Sequence, residues 1–269
     1  MKNQIPSLVL SFVLSIIVMI LFVCSGLSLG IFNSPKLSQT LIQSKYYDSM
    51  AKDAAKSVSE YITGRELPLS VLDGVIDEDQ MMLDAKGYVE SQLNGKGGSI
   101  STDSFQIKLA QNILAYLNQS GSIKASELKQ GIKEVTSITA AIYRDHLELK
   151  AVLYYAQYQR DIAGILKVFL MGSALLSVLL SVVLIKAQKY PHRGMRYIAY
   201  SILTATMLQL LATWQMSRHF IIKGTGAYYQ VINKFLQESM TSMYMIAGIG
   251  IILFAVTLFG IKALKQKGD

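Results

Sequence analysis

The sequence predicts an all-α membrane protein: four transmembrane helices, with a helical-bundle extracytoplasmic domain inserted between helices 1 and 2. Three observations predict it. Of 269 residues, 51% are hydrophobic and only 16% charged, against about 25% charged in an average soluble domain. The apolar residues gather in four runs, near 5–32, 162–185, 197–217 and 242–261, and a helix of about 20 such residues crosses a bilayer core of about 30 Å. The charges gather between the first two runs, and no alternation of polar and apolar residues persists long enough for a sheet.

Residues 1–32 form the first predicted span. The stretch VLSFVLSIIVMILFVCSGLSLGIF carries no charge and far exceeds the roughly 7–15 apolar residues of a cleaved signal core, so it reads as a retained helix. Leu21, Phe22 and Val23 precede Cys24, where a lipoprotein signal requires a small residue. Cys24 is the sole cysteine, so no intramolecular disulfide exists, and the inserted domain must be held by packing.

Basic residues near span ends set orientation because they resist translocation. The loop 186–196, KAQKYPHRGMR, carries Lys186, Lys189, Arg193 and Arg196 and no acid; the tail 262–269 carries Lys262, Lys265 and Lys267 against Asp269. Both are expected in the cytoplasm. Spans 162–185, 197–217 and 242–261 then alternate direction, both termini lie inside, and residues 33–161 and 218–241 lie outside. The net charge of +8 divides accordingly. Residues 33–161 hold 14 basic and 16 acidic residues, whereas the predicted inner segments are almost purely basic. The basicity is thus explained by insertion and by attraction to an anionic inner leaflet, and no nucleic-acid partner is expected.

Within 33–161 the pattern is helical. Ser34-Pro35 is a helix start, and Leu37, Leu41, Tyr47, Met50, Ala54, Val58 and Tyr61 form a stripe ended at Gly64. A second helix begins at Asp77 with Gln80 as capping partner, uses Met82, Ala85, Val89 and Leu93, and stops at NGKGGS. A third runs from about Thr102 to Asn118 on Phe105, Leu109, Ile113 and Leu117, followed by a QSGS linker. From Ser126, Val135, Ile138, Ile142, Leu149, Val152 and Ala156 keep helical spacing, predicting one helix that continues unbroken into the second span. Four stripes over this length suffice for a small bundle. The segment 218–241, with Tyr228, Tyr229, Val231, Ile232, Phe235 and Leu236, reads as an amphipathic outer loop with tyrosines at headgroup level.

Candidate chemistry is sparse. Asp73, Asp77, Glu78, Asp79 and Asp84 invite calcium, but DGVIDEDQMMLD lacks the sixth-position glycine and distal glutamate of a calcium loop; acids at a helix start explain it more simply. His146, His192 and His219 form no local ligand pair. Lys167 lies just inside the second run, where its stem can snorkel to the interface. Asp145, His146, Glu148 and Asp161 are the nearest candidates for catalysis at the outer interface. No catalytic, cofactor-binding or metal-ligating residue is assigned, and no cofactor is implied.

Small residues at four-residue spacing carry more information: Ser7, Ser11 and Ser15 in the first span, Ser173, Ser177 and Ser181 in the second, the pair Gly26 and Gly30, and Ser201, Ala205, Gln209 and Ala212 in the third. Such faces permit close backbone approach and hydrogen bonding across helices. They are expected to close an internal four-helix bundle, or else to dock another membrane protein or a second copy.

By its charge-free first span, NSP helix start, long helix into the second span and KAQKYPHRGMR loop, the whole chain resembles uncharacterised four-span membrane proteins of Gram-positive bacteria with a helical outer domain after the first span. The resemblance is one of layout and implies no functional residues. Claudins and tetraspanins share the topology, but the paired cysteines of their outer domains are absent. The expected function is that of a non-enzymatic integral membrane protein, an accessory, sensing or scaffold subunit whose outer domain binds an envelope ligand or partner. The competing expectations are an enzyme acting on lipid or cell-wall substrate at the outer interface and, third, a small transporter or channel.

Overall fold

A computed structural model describes residues 4–120, 129–219 and 222–266. Among these, nine α-helices and one short 3-10 turn, Leu69–Leu72, form all the regular structure: α1 (Gln4–Leu29), α2 (Ser34–Gln43), α3 (Tyr46–Gly64), α4 (Glu78–Leu93), α5 (Asp103–Ser120), α6 (Lys129–Leu147), α7 (Lys150–Lys186), α8 (Pro191–His219) and α9 (Ala227–Gln266). Four of them, α1, α7, α8 and α9, are long and apolar enough to cross a membrane, which fits a membrane protein. The second half of the QSGS linker, the expected helix start at Ser126, and Lys2, Lys267 and Asp269 lie outside the described residues.

The chain divides into two compact units, residues 1–37 with 159–269, and residues 38–158. In the first unit, α8 packs on α9 and α1, and α1 on α9. One apolar cluster draws on all four long helices: Leu14, Val18 and Phe22 of α1, Leu184 of α7, Ile198 and Ala205 of α8, and Ile246 of α9. The alternation of direction can be followed contact by contact. At one end Gln188 donates to the Ser7 hydroxyl and Met195 meets Gly260. At the other, Gly26 of α1 and Gly30 just after it face Met243 and Ser239 of α9, Gln159 donates to the Phe32 carbonyl, and Ser242 donates to the Leu29 carbonyl. Lys186, Lys189, Arg193, Arg196, Lys262 and Lys265 therefore all adjoin the first end, hereafter the basic end.

Glycine decides two close approaches. A Cβ at position 30 would lie 2.8 Å from the Ser239 carbonyl oxygen, and one at 194 would lie 2.6 Å from the Ile185 Cα. Both obstacles are backbone, which cannot step aside. Gly26 and Gly30 are thus spent inside the molecule on the α1–α9 crossing, as the small-residue spacing anticipated.

Segment 218–241 and the last span are not separate elements, because α9 runs from Ala227 to Gln266 without a break. At 1.5 Å per residue its 40 residues extend about 60 Å, roughly twice a bilayer core. Nothing between Glu238 and Ser242 stops the helix: Ser239 and Thr241 return their hydroxyls to the carbonyls of Phe235 and Gln237. The amphipathic stretch is the first part of the spanning helix itself.

In the 38–158 unit, α3 packs on α4 and α6, α6 also on α4 and α5, and the 3-10 turn on α3 and α5. Ala54, Val58 and Ile62 of α3 meet the unit's interior with Ala85 and Val89 of α4, Leu109 and Ile113 of α5 and Leu147 of α6, all buried. Asp77 is the α4 N-cap, its carboxylate accepting from the backbone N–H groups of Asp79 and Gln80, as the spacing predicts.

Three local expectations are corrected. The first stripe is two helices, broken where Lys45 takes a left-handed conformation, φ 50°. The α4 stripe centres on Met81 rather than Met82. The α6 stripe centres on Ile132, Thr136, Thr139, Ala140, Tyr143 and Leu147, one position off the predicted Val135–Ile138–Ile142 face. In α6, threonines hide their hydroxyls by donating to their own helix, Thr139 to the Val135 carbonyl and Thr136 to that of Lys133, so they pack as apolar groups. Nor is there one helix from Ser126 into the second span: α6 stops at an interruption at Glu148 and Leu149, and it is α7, from Lys150, that runs unbroken into it. There the Glu148 carboxylate accepts from the Ile100 backbone N–H at 2.8 Å, a tertiary bond that sequence periodicity cannot report.

Candidate functional site

The acidic cluster dissolves into structural roles. Asp77 caps α4. Asp84 accepts from the Tyr143 hydroxyl at 2.6 Å on one oxygen and from the Gln80 amide at 2.7 Å on the other. Asp73 contributes its backbone carbonyl, which with that of Val71 accepts from Asn112. Glu78 and Asp79 are exposed in the first helical turn, where the dipole favours them. Among the described residues no group of three or more His, Cys, Asp or Glu is placed to hold a metal ion.

Of the candidates for interfacial catalysis, those in the 38–158 unit are used separately. Asp145 pairs with Lys150 at 3.1 Å, Glu148 is committed to Ile100, and His146 is exposed. His192 stacks on Tyr190, and His219 meets Gln215. Lys167 is exposed.

What the 38–158 unit does hold is a pair of tyrosines in unusual surroundings. Burial, the hydrogen bond to Asp84 and the charges of Asp84 and Asp77 push the Tyr143 hydroxyl well above its ordinary range. Burial, with the Glu90 charge adding, does the same to Tyr47. Both stay neutral at any physiological pH, and Tyr143 packs its ring 4.8 Å from that of Phe105. This is a fastening between α4, α5 and α6.

In the first unit several polar side chains of the apolar helices meet where α8 packs on α1 and α9. The Ser11 and Ser201 hydroxyls lie 2.9 Å apart, and Ser201 also reaches the Ser11 carbonyl. Gln209 of α8, 1% exposed, donates to the Met243 carbonyl of α9 at 3.2 Å, while its own oxygen has no partner. Ser201, Ala205 and Gln209 are buried as the spacing predicts, but the next buried position is Thr213, and Ala212 is exposed. Ser7, Ser11 and Ser15 are buried on α1. On α7, Ser173 is buried and returns its hydroxyl to the Phe169 carbonyl, and the Ser181 hydroxyl goes likewise to Ser177.

Sequence reasoning missed two features. Lys36, counted only as a charge, extends its ammonium to the Glu238 carbonyl and the Ser242 hydroxyl, at 2.5 and 2.7 Å, fastening the first turn of α2 to α9; burial lowers its pKa. The second is a cleft of about 320 Å³ between the end of α8 and the first half of α9, lined by Ser217, Asn233, Leu236, Gln237, Met240, Thr241 and Tyr244. Arg218, Lys223, Lys234, Tyr228 and Tyr229, which mark segment 218–241 in the sequence, are not in its lining.

No model of a known protein family, no curated protein and no solved structure matches this chain. The chemistry therefore rests on the residues themselves.

Proposed function

We propose that the chain is a non-enzymatic integral membrane subunit, accessory, sensing or scaffolding, whose 33–161 domain stands outside the cytoplasm and binds an envelope ligand or partner. In this reading the basic end faces the cytoplasm, both termini are inside, and 186–196 is the inner loop.

The observation that carries the reading is how the polar groups are used. In the apolar helices they join helix to helix, as Ser11 with Ser201 and Gln209 with Met243; a conduit or reaction centre needs polar groups converging on space. In the 38–158 unit Asp77 caps α4, Glu148 accepts from the Ile100 backbone and Asp84 accepts from the Tyr143 hydroxyl. That frees the surface of this unit for contact. The sidedness is supported by six basic residues meeting at one end of four alternating helices.

Crosslinking with mass spectrometry in native membranes tests the function. A reproducible partner joined through 33–161 is expected, and recovery only as a solitary monomer overturns it. Sidedness is tested separately by membrane-impermeant thiol labelling in a Cys24→Ser background: a cysteine at Lys56 is expected to label in intact cells and one at Lys189 only after lysis. The reverse pattern inverts the scheme.

A further inference from the structure

The cleft between α8 and α9 is not used by any of the roles above. Its depth in the membrane can be read from its neighbours: Ser239 and Ser242, on the same turns of α9, meet Gly30 and the Leu29 carbonyl at the end of α1. It therefore sits at the level where α1 ends, opposite the basic end, which we take as the level where a bilayer passes from acyl chains to headgroups. Trp214 and Tyr244, 47% and 40% exposed, flank it at the level favoured by amphipathic aromatic rings.

Its lining is divided. Leu236, Met240 and the Tyr244 ring supply an apolar wall. Gln237, Thr241 and Ser217 supply polar groups, of which the Gln237 amide is exposed. The Ser217 and Thr241 hydroxyls donate to their own helices, so each can turn to a ligand without having been stranded. Asn233 is committed at both ends of its amide to the Ile222 backbone and holds the loop rather than a ligand. Two cations directly follow lining residues in the chain, Arg218 after Ser217 and Lys234 after Asn233. Arg218 lies 3.9 Å over the Trp214 ring, which orients the guanidinium by cation–π attraction. Lys234 shares a face of α9 with Gln237 and Thr241 by helical spacing. The one acid of this stretch, Glu238, is on the side of α9 where Lys36 meets its carbonyl.

A partly apolar, partly hydroxylic cleft at interface depth, with two cations next to its lining residues in the chain, matches one chemistry. We infer that it is a binding site for an anionic phospholipid, with the phosphate-bearing headgroup held by Arg218, Lys234 and the Gln237 amide, and the upper acyl chain against Leu236, Met240 and Tyr244. Arg supplies a planar fork suited to phosphate. The site does not depend on which side of the membrane this end faces, so its failure and that of the proposed topology are separable.

The molecule carries its own reporter, since Trp214 is the only tryptophan. Full-length protein is reconstituted in phosphatidylcholine vesicles containing a fixed fraction of phosphatidylglycerol, with either lipid brominated in its acyl chains, and quenching of Trp214 is read. Phosphatidylglycerol is expected to quench as though enriched roughly fivefold over its bulk fraction, the effect of about one well-placed cation. Arg218→Gln with Lys234→Gln should remove the enrichment. Thr241→Leu, which narrows the cleft and leaves both charges, should lower it as well, and circular dichroism checks that each variant folds. Equal quenching by both brominated lipids in the wild type overturns the proposal. So does full enrichment in Thr241→Leu, which would mean diffuse surface charge. Millimolar soluble glycerol phosphate that abolishes the enrichment would identify a free-phosphate site and overturn the lipid assignment; the expected result is no competition.

Discussion

Helices α7 and α8 are both long enough to span a bilayer, and they use their side chains in opposite ways. α7 is mostly hydrocarbon along Phe169–Ile185, its only polar side chains there being Ser173, Ser177 and Ser181, yet only 11% of its most apolar stretch is buried within the protein; for α8, with Thr204, Thr206, Gln209 and Thr213 in its middle, the figure is 33%. In water the order would be reversed. In lipid an apolar side chain loses nothing by facing outward, whereas a hydroxyl or amide has no partner outside the protein. The polar helix is therefore drawn to the centre, against α1 and α9. The apolar helix contributes one narrow stripe, Leu166, Ser173 and Leu184, and offers Val168, Met171, Leu175 and Val178 to its surroundings.

Substitutions can break that contrast, beginning with the largest effect. Gly30→Leu would drive a side chain into the Ser239 backbone, and destabilisation of about 3 kcal/mol or loss of the folded state is expected in detergent unfolding. Gly172→Leu on α7 meets nothing within 4 Å and should stay within about 0.5 kcal/mol of wild type. Equal sensitivity at both positions would end the distinction between the helices. Next in size, Gln209→Ala, which opens space in the α8–α9 contact and deletes its bond to Met243, should cost about 1–2 kcal/mol by the same measurement. Leu175→Ala, at a position 63% exposed, should cost almost nothing.

A double-mutant cycle of Ser11→Ala and Ser201→Ala sharpens the comparison further. A coupling of about 0.6 kcal/mol is expected, the usual size of a hydrogen bond between membrane helices. A coupling of zero would leave close packing as the sole fastening.

The smallest expected effect distinguishes the seam from the 38–158 unit. Buried polar groups along the seam cannot ionise, whereas Tyr143 and Tyr47 can. Their folded-state pKa values are raised, so the unfolded chain loses these protons first, and the stability they confer is present below about pH 10 and lost as pH climbs beyond it. Alkaline titration followed by hydrogen exchange should show 38–158 opening before the α1–α8–α9 seam. Tyr143→Phe should make that opening less steep in pH, because one of the two titrating groups is gone.

Some of this is legible in the chain itself. The four runs, the Asp77 cap, and the Gly26–Gly30 and Ser201–Ala205–Gln209 spacings all correspond to what the helices do. Other features are hidden for identifiable reasons. The break at Glu148 follows from a carboxylate reaching Ile100 across 48 positions. Thr136 and Thr139 pass for surface residues until their hydroxyls turn back on the helix. Lys36 reaches a carbonyl more than two hundred positions away.

Length and polarity along the chain alone determined that four segments can cross a membrane and where their basic ends fall, because the cost of burying charge in hydrocarbon depends on composition and hardly on neighbours. Which face of each helix turns inward was decided only by the tertiary structure. When solvent and interior are equally apolar, hydrophobicity no longer points anywhere. The direction is then set by which glycine lets a backbone approach and which hydroxyl finds its partner.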